Sequence, residues 1–305
     1  MIFYTFYMGK RILFSEGHGE IVRFQKSITS NILSSIGGIR SPFETLEQIL
    51  MKFNYSLHYS GEKKISIDYL RNYDILVSVK PIKPFTPHEI SALEKFVQSG
   101  GALLILGQYL TPIFTLMPNQ IMPAIKGKFW KTYEHLNNIT RKFGIFFIAD
   151  WISPENKQHA TQNILYPVMT ISHFESHSIF QKIKNFYYQG CSIELTDEAI
   201  PLAYTDKDTK PPHAIVMAIS QYGEGRAFTT GSSLIFTDNR VQNLGIRNPQ
   251  HAQLVLNIFT WLSHKKHSEK LSLKPKSSQN KKYCPYCGLE NPVAESFCGG
   301  CGSSI

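Results

Sequence analysis

The sequence predicts an α/β protein, an open and mainly parallel sheet flanked by helices, followed by a small cysteine-rich tail. Three observations carry this. Short strand-like runs at 11–15, 73–79 and 102–106 alternate with helical patterns at 42–54 and 86–98. Hydrophobic residues make up 42% of the 305 residues and charged residues 18%, enough for a large core. Four of the 5 cysteines crowd into the last stretch of chain.

Arg11–Ser15 (RILFS) reads as a first strand, bounded by the turn-like Glu16-Gly17-His18-Gly19-Glu20. Residues 21–40 lack clean periodicity and read as a long loop. Pro42–Asn54 reads as a helix. Ser41 can cap it, Pro42 suits its first turn, and Glu44 and Glu47 favour its positive end. Tyr55–Tyr59 is a second strand, and Ile67–Asn72 leads into a third, Tyr73–Val79. Thr86, Pro87 and Glu89 form the start of a capped helix that runs to about Gln98 and stops at Gly100-Gly101. Ala102–Leu106 (ALLIL) is apolar throughout, as a fully buried strand is. Gly144–Ala149 reads as another buried strand, ending at Asp150. From Tyr166 to Thr237 the pattern is strand-rich: Val168–Ile171, Cys191–Leu195, Pro201–Tyr204, Ala214–Gln221 and Arg226–Thr230. Pro249–Leu262 reads as a closing helix.

This divides the chain into an N-terminal extension (1–7), an α/β body (8–263), a linker (264–282) and a tail (283–305). The formal charge of +9 is uneven. The linker holds Lys265, Lys266, Lys270, Lys274, Lys276, Lys281 and Lys282 against one acid, Glu269, so the body itself is only mildly basic. No apolar run reaches the roughly 18–20 residues of a membrane-spanning helix. The apolar start lacks the features of a secretory signal, and translation could equally begin at Met8. The cysteine usage fits a reducing compartment, so the expected location is the cytoplasm.

The tail reads Cys284-Pro285-Tyr286-Cys287, ten residues, then Cys298-Gly299-Gly300-Cys301. In each CxxC knuckle two intervening residues let both sulfurs approach one ion, and the glycine that follows permits the left-handed turn. Four thiolates fill the tetrahedron of a structural Zn2+ and leave no open position for catalysis. A segment this small needs the metal, which contributes on the order of 10 kcal/mol to folding. The tail, with Asn291-Pro292 and Phe297, closely resembles the C-terminal zinc-ribbon family. That resemblance implies a contact module for protein or nucleic acid, or only a terminal cap.

In the body, Ser15-Glu16-Gly17-His18-Gly19-Glu20, Pro84 to Glu89, Gly100-Gly101 and Phe143-Gly144-Ile145 leading to Asp150 follow in order. With Gly225-Arg226, Gly231 to Ser233 and Phe236-Thr237-Asp238, this pattern resembles the GIFT-type branch of the class I glutamine-amidotransferase-like fold, which includes a domain of a ciliary intraflagellar-transport subunit. Amidotransferases of this fold carry a nucleophilic cysteine on a sharp turn after a strand. Here Ala102–Leu106 runs into Gly107-Gln108-Tyr109, with no Cys or Ser. Without a nucleophile the acyl-enzyme route is closed. Cys191 lacks the glycine spacing of an elbow and reads as a buried structural thiol. The resemblance therefore implies a domain without its catalytic apparatus.

Open α/β sheets gather ligands at the carboxyl ends of their strands, here called the crest. That rule selects Glu16, His18, Glu20, Lys80, Gln108 and Asp150, with Asp238 as a further candidate. They are either solvated loop ends or a site for a polar ligand such as a saccharide or nucleotide, and Glu16, His18 and Glu20 could also bind a metal. His173 and His177 read as surface histidines with no carboxylate beside them. Three functions compete. The first is a non-enzymatic binding or scaffold protein whose ribbon contacts a protein partner. The second is a divergent hydrolase or amidotransferase-like enzyme using Glu20 or His18. The third is weak nucleic-acid binding through linker and ribbon, which the acidic ribbon disfavours.

Overall fold

The computed structural model describes residues 9–20, 22, 41–107, 133–150, 152–155, 168–196, 199–238, 244–264, 281–283, 290–292 and 296–297. By internal contacts the chain divides into two compact units, Met1–Lys265 and Lys266–Ile305.

The first unit is built on a ten-stranded sheet. Its strands are β1 (Arg11–Phe14), β2 (Ser56–Tyr59), β3 (Ile75–Val79), β4 (Ala102–Leu106), β5 (Ile145–Phe147), β6 (His173–Phe174), β7 (Ile193–Leu195), β8 (Ala199–Tyr204), β9 (Ile215–Tyr222) and β10 (Gly225–Thr230). The order is β2-β1-β3-β4-β10-β9-β7-β5, with β8 on β9 and β6 on β8. β2, β1, β3, β4 and β10 run parallel. Every pairing beyond β10 is antiparallel. The sheet is therefore mixed, which corrects the expectation of a mainly parallel one. The Tyr222-Gly223-Glu224-Gly225 turn is the reason: it folds β9 directly back onto β10, and a hairpin can only join antiparallel neighbours.

Alternation along the parallel strands sends side chains to two cores. Ile12, Phe14, Ile75, Val77, Leu104 and Leu106 pack with helices α1 (Glu44–Lys52) and α5 (Pro249–Ser263). Leu13, Leu76, Leu103 and Ile105 face the other way, onto α3 (Pro87–Gln98) and the helical residues 133–140, here α4. The single helical turn α2 (Ile67–Leu70) stands where the chain was expected to run straight into β3. Ser66 explains it, since its hydroxyl accepts from Tyr69 N and caps the turn.

α3 has the predicted capping box and the predicted stop, with Gly100 at φ 101°. α1 does not begin as expected. It starts at Glu44, and Ser41 instead donates to Val22 O. The carboxylate of Asp238, distant in sequence, accepts from Thr45 N at 2.8 Å and Thr45 Oγ1 at 2.6 Å. Asp238 is thus engaged at the start of α1. Among the described residues no helix is long and apolar enough to cross a membrane.

Candidate functional site

The crest is assembled by backbone contacts between loops. Ser15 N continues the sheet by donating to Val77 O at 2.9 Å. Gly19, at φ 77°, turns the chain so that His18 O accepts from Ile82 N and Lys83 N, at 2.8 and 2.9 Å. These bonds tie the loop after β1 to the loop after β3. Glu16 ties it to the loop after β2. Its N–H donates to Ser60 Oγ at 2.9 Å, and its Oε2 accepts from Gly61 N at 3.2 Å.

His18 and Glu20 are both buried, 6% exposed. Glu20 Oε2 accepts from His18 N at 2.8 Å, and its Oε1 accepts from Ser78 Oγ at 3.1 Å. His18 Nε2 lies 3.2 Å from Glu89 Oε2, and the ring stacks on Phe85 at 3.6 Å between centroids. Glu89 also accepts from Thr86 N, Thr86 Oγ1 and Ile65 N. Burial pushes the Glu89 carboxyl up, but the hydrogen bonds from Thr86, Ile65 and His18 outweigh it and hold the group below the usual carboxylate range. Glu89 was legible only as a capping residue. Its second role, gripping His18, needs α3 to dock beside β1.

Lys80 follows β3 with a left-handed backbone, φ 47°, unusual for a lysine. It is half-buried, and burial pulls its ammonium down to about 7. Gln108 lies outside the described residues. Asp150 follows β5, which is antiparallel and lies at the far edge of the sheet. Its carboxylate is taken by Ser192 N at 2.8 Å and Ser192 Oγ at 2.6 Å. The structure thus gathers Glu16, His18 and Glu20 on the loop after β1, tied to the loop that follows Lys80, and seats Asp150 on Ser192, next to Cys191 and Gly231 at the end of β10.

The turn after β4 begins with Gly107, whose N–H donates to Thr230 O at 2.8 Å. A Cβ there would stand 2.7 Å from the carbonyl carbon and oxygen of Gly231, so no side chain fits. Cys191 is 0% exposed. Burial, with the Asp150 charge adding, pushes its thiol well above the ordinary range. It has the properties of a structural residue, as expected. His173, by contrast, does have a carboxylate beside it: Asp206 Oδ1 lies 2.6 Å from Nδ1, on the exposed surface. His177 accepts from Ile179 N and caps a short turn.

The four tail cysteines lie outside the described residues. The donor set, four thiols in two CxxC pairs, fits zinc. Lys281–Tyr283 and Glu290–Pro292 pair antiparallel. Among the described residues no cluster of three or more His, Cys, Asp or Glu side chains could hold a metal.

No family model and no curated protein matches the chain. Solved structures share its fold at low identity. The mmIFT52 N-terminal domain is 15% identical, covers 86% of this chain and 100% of its own length, and gives a TM-score of 0.60. The cytoplasmic protein STM1381 of Salmonella typhimurium LT2 is 14% identical, covers 83% of this chain and 100% of its own length, and gives a TM-score of 0.51.

Proposed function

We propose that this chain is a non-enzymatic binding or scaffold protein. Its GIFT-like domain (8–263) is catalytically degenerate and presents the crest to a polar ligand. The Lys-rich linker (264–282) tethers a zinc ribbon (283–305) that contacts a protein partner in the cytoplasm. Zinc, held by Cys284, Cys287, Cys298 and Cys301, would be structural, because four thiolates leave it no open position. Gly107 carries the reading. At the turn where this fold class places its nucleophile, packing against Gly231 leaves no room for any side chain. The buried thiol of Cys191 offers no replacement.

A divergent hydrolase is the second reading, favoured by Lys80, whose ammonium is destabilised by burial. Purified full-length chain, Glu20→Gln and Lys80→Met are assayed for amide, ester and glycoside hydrolysis. No turnover above background is expected. Turnover that falls in either variant would overturn the scaffold reading.

A further inference from the structure

The chain leaves β1 for β2 on one side and returns to β3 on the other, so the sheet order reverses between β1 and β3. In open α/β sheets the crevice at such a reversal is where ligands bind. Two buried polar atoms without a hydrogen-bond partner sit on the loop that leaves β1: Ser15 Oγ and His18 Nδ1. Their residues are 0% and 6% exposed. Each such atom costs about 1–3 kcal/mol when left unpaired. Two within four residues call for a partner.

The bond to Glu89 says which ring atom that partner must meet. Glu89, an ionised carboxylate, can only accept, so Nε2 donates to it and Nδ1 is the atom left for a second partner. A hydroxyl can give or take at Nδ1 and at the serine alike. The charges disfavour an anion: the carboxylates of Glu16 and Glu20, on the loop itself, and of Glu89 beside His18 all repel one. The start of α3, which would otherwise attract a phosphate, is closed by its own capping box.

Building on the crest as a ligand face, we propose that the β1/β3 switch point binds an uncharged polyhydroxy compound through one projecting hydroxyl, which hydrogen-bonds with His18 Nδ1 and Ser15 Oγ. Both atoms are shielded from water, so a single hydroxyl reaches in and the rest of the ligand stays outside.

The test uses full-length chain with 15N-labelled histidines. The probes are glucose and N-acetylglucosamine against glucose 6-phosphate and inorganic phosphate, all at millimolar concentration. The neutral sugars should shift the His18 Nδ1 resonance and the phosphates should not. Ser15→Ala removes an unpartnered hydroxyl, so it should fold and melt like wild type yet bind the responding sugar about 3–10-fold more weakly. A silent His18, equal binding of phosphate, or a Ser15→Ala affinity equal to wild type overturns the proposal. Crest-dependent turnover would sink the non-enzymatic reading and leave this ligand class standing. A silent His18 without turnover does the reverse.

Discussion

Replacing Glu89 by glutamine keeps the shape of the side chain and removes its charge. The carboxylate accepts from Thr86 N at 2.9 Å, Thr86 Oγ1 at 2.8 Å, and Ile65 N and His18 Nε2 at 3.2 Å. A glutamine brings one acceptor oxygen and one NH2. With the oxygen toward Thr86 and His18, the NH2 meets Ile65 N, donor against donor. Flipped, it meets Thr86 N and His18 Nε2. At least one donor is therefore stranded either way, Ile65 N in the better orientation, at about 1–3 kcal/mol. The remaining bonds lose their charge assistance, which is roughly half their strength. The total is about 3 kcal/mol, and for a body of this size it lowers Tm by about 6–12 °C. Thermal circular dichroism at pH 7 measures it, with Thr86→Ala as a milder control costing about 1 kcal/mol. The pH dependence has a definite sign. The folded carboxyl lies below its ordinary value, so its stabilisation is present above that value and is lost as pH falls through the folded one. Glu89→Gln should accordingly show a shallower stability loss below about pH 4. A Glu89→Gln protein melting within about 2 °C of wild type would refute the clamp as described.

Gly107→Ala should cost at least about 2 kcal/mol in urea unfolding, because the new methyl meets the backbone of Gly231. Lys80 is pulled down to about 7 in the folded state and returns to about 10.4 when unfolded. The unfolded chain thus binds more protons across that window, so stability rises with pH from about 7 toward 10. Lys80→Met should flatten that rise and be more stable than wild type at pH 6 by roughly 2–4 kcal/mol, as read from urea midpoints across pH. Elemental analysis of the full-length chain should give about one zinc per molecule, and Cys298→Ser should lose it.

Much of this was legible in the sequence wherever the cause was local. The start of α3 was readable because Thr86 and Glu89 are three residues apart and satisfy each other. β4 was readable because five apolar residues in a row cannot lie at a surface. The start of α1 was not, because its cap is Asp238, which the chain brings in from 193 residues away. The partner of Asp150, Ser192, was not legible for the same reason. A run such as Ile145–Phe147 says that it is a strand, but not that its neighbour is the antiparallel β7. The carboxylate beside His173 was missed because Asp206 approaches only once β6 pairs with β8.

The sequence by itself determined the α/β class, the two-sided apolar pattern of the central strands, the four-cysteine tail and the missing nucleophile after β4. Each follows from residue chemistry and spacing within a few turns of chain. Tertiary structure alone decided that the sheet is mixed, that β1 and β3 flank the switch point, and that His18 meets Glu89 across 71 residues. The physical reason is range. Propensity, capping and alternation act between neighbours, whereas strand order and side-chain partners are settled only when separate segments bury their faces against one another.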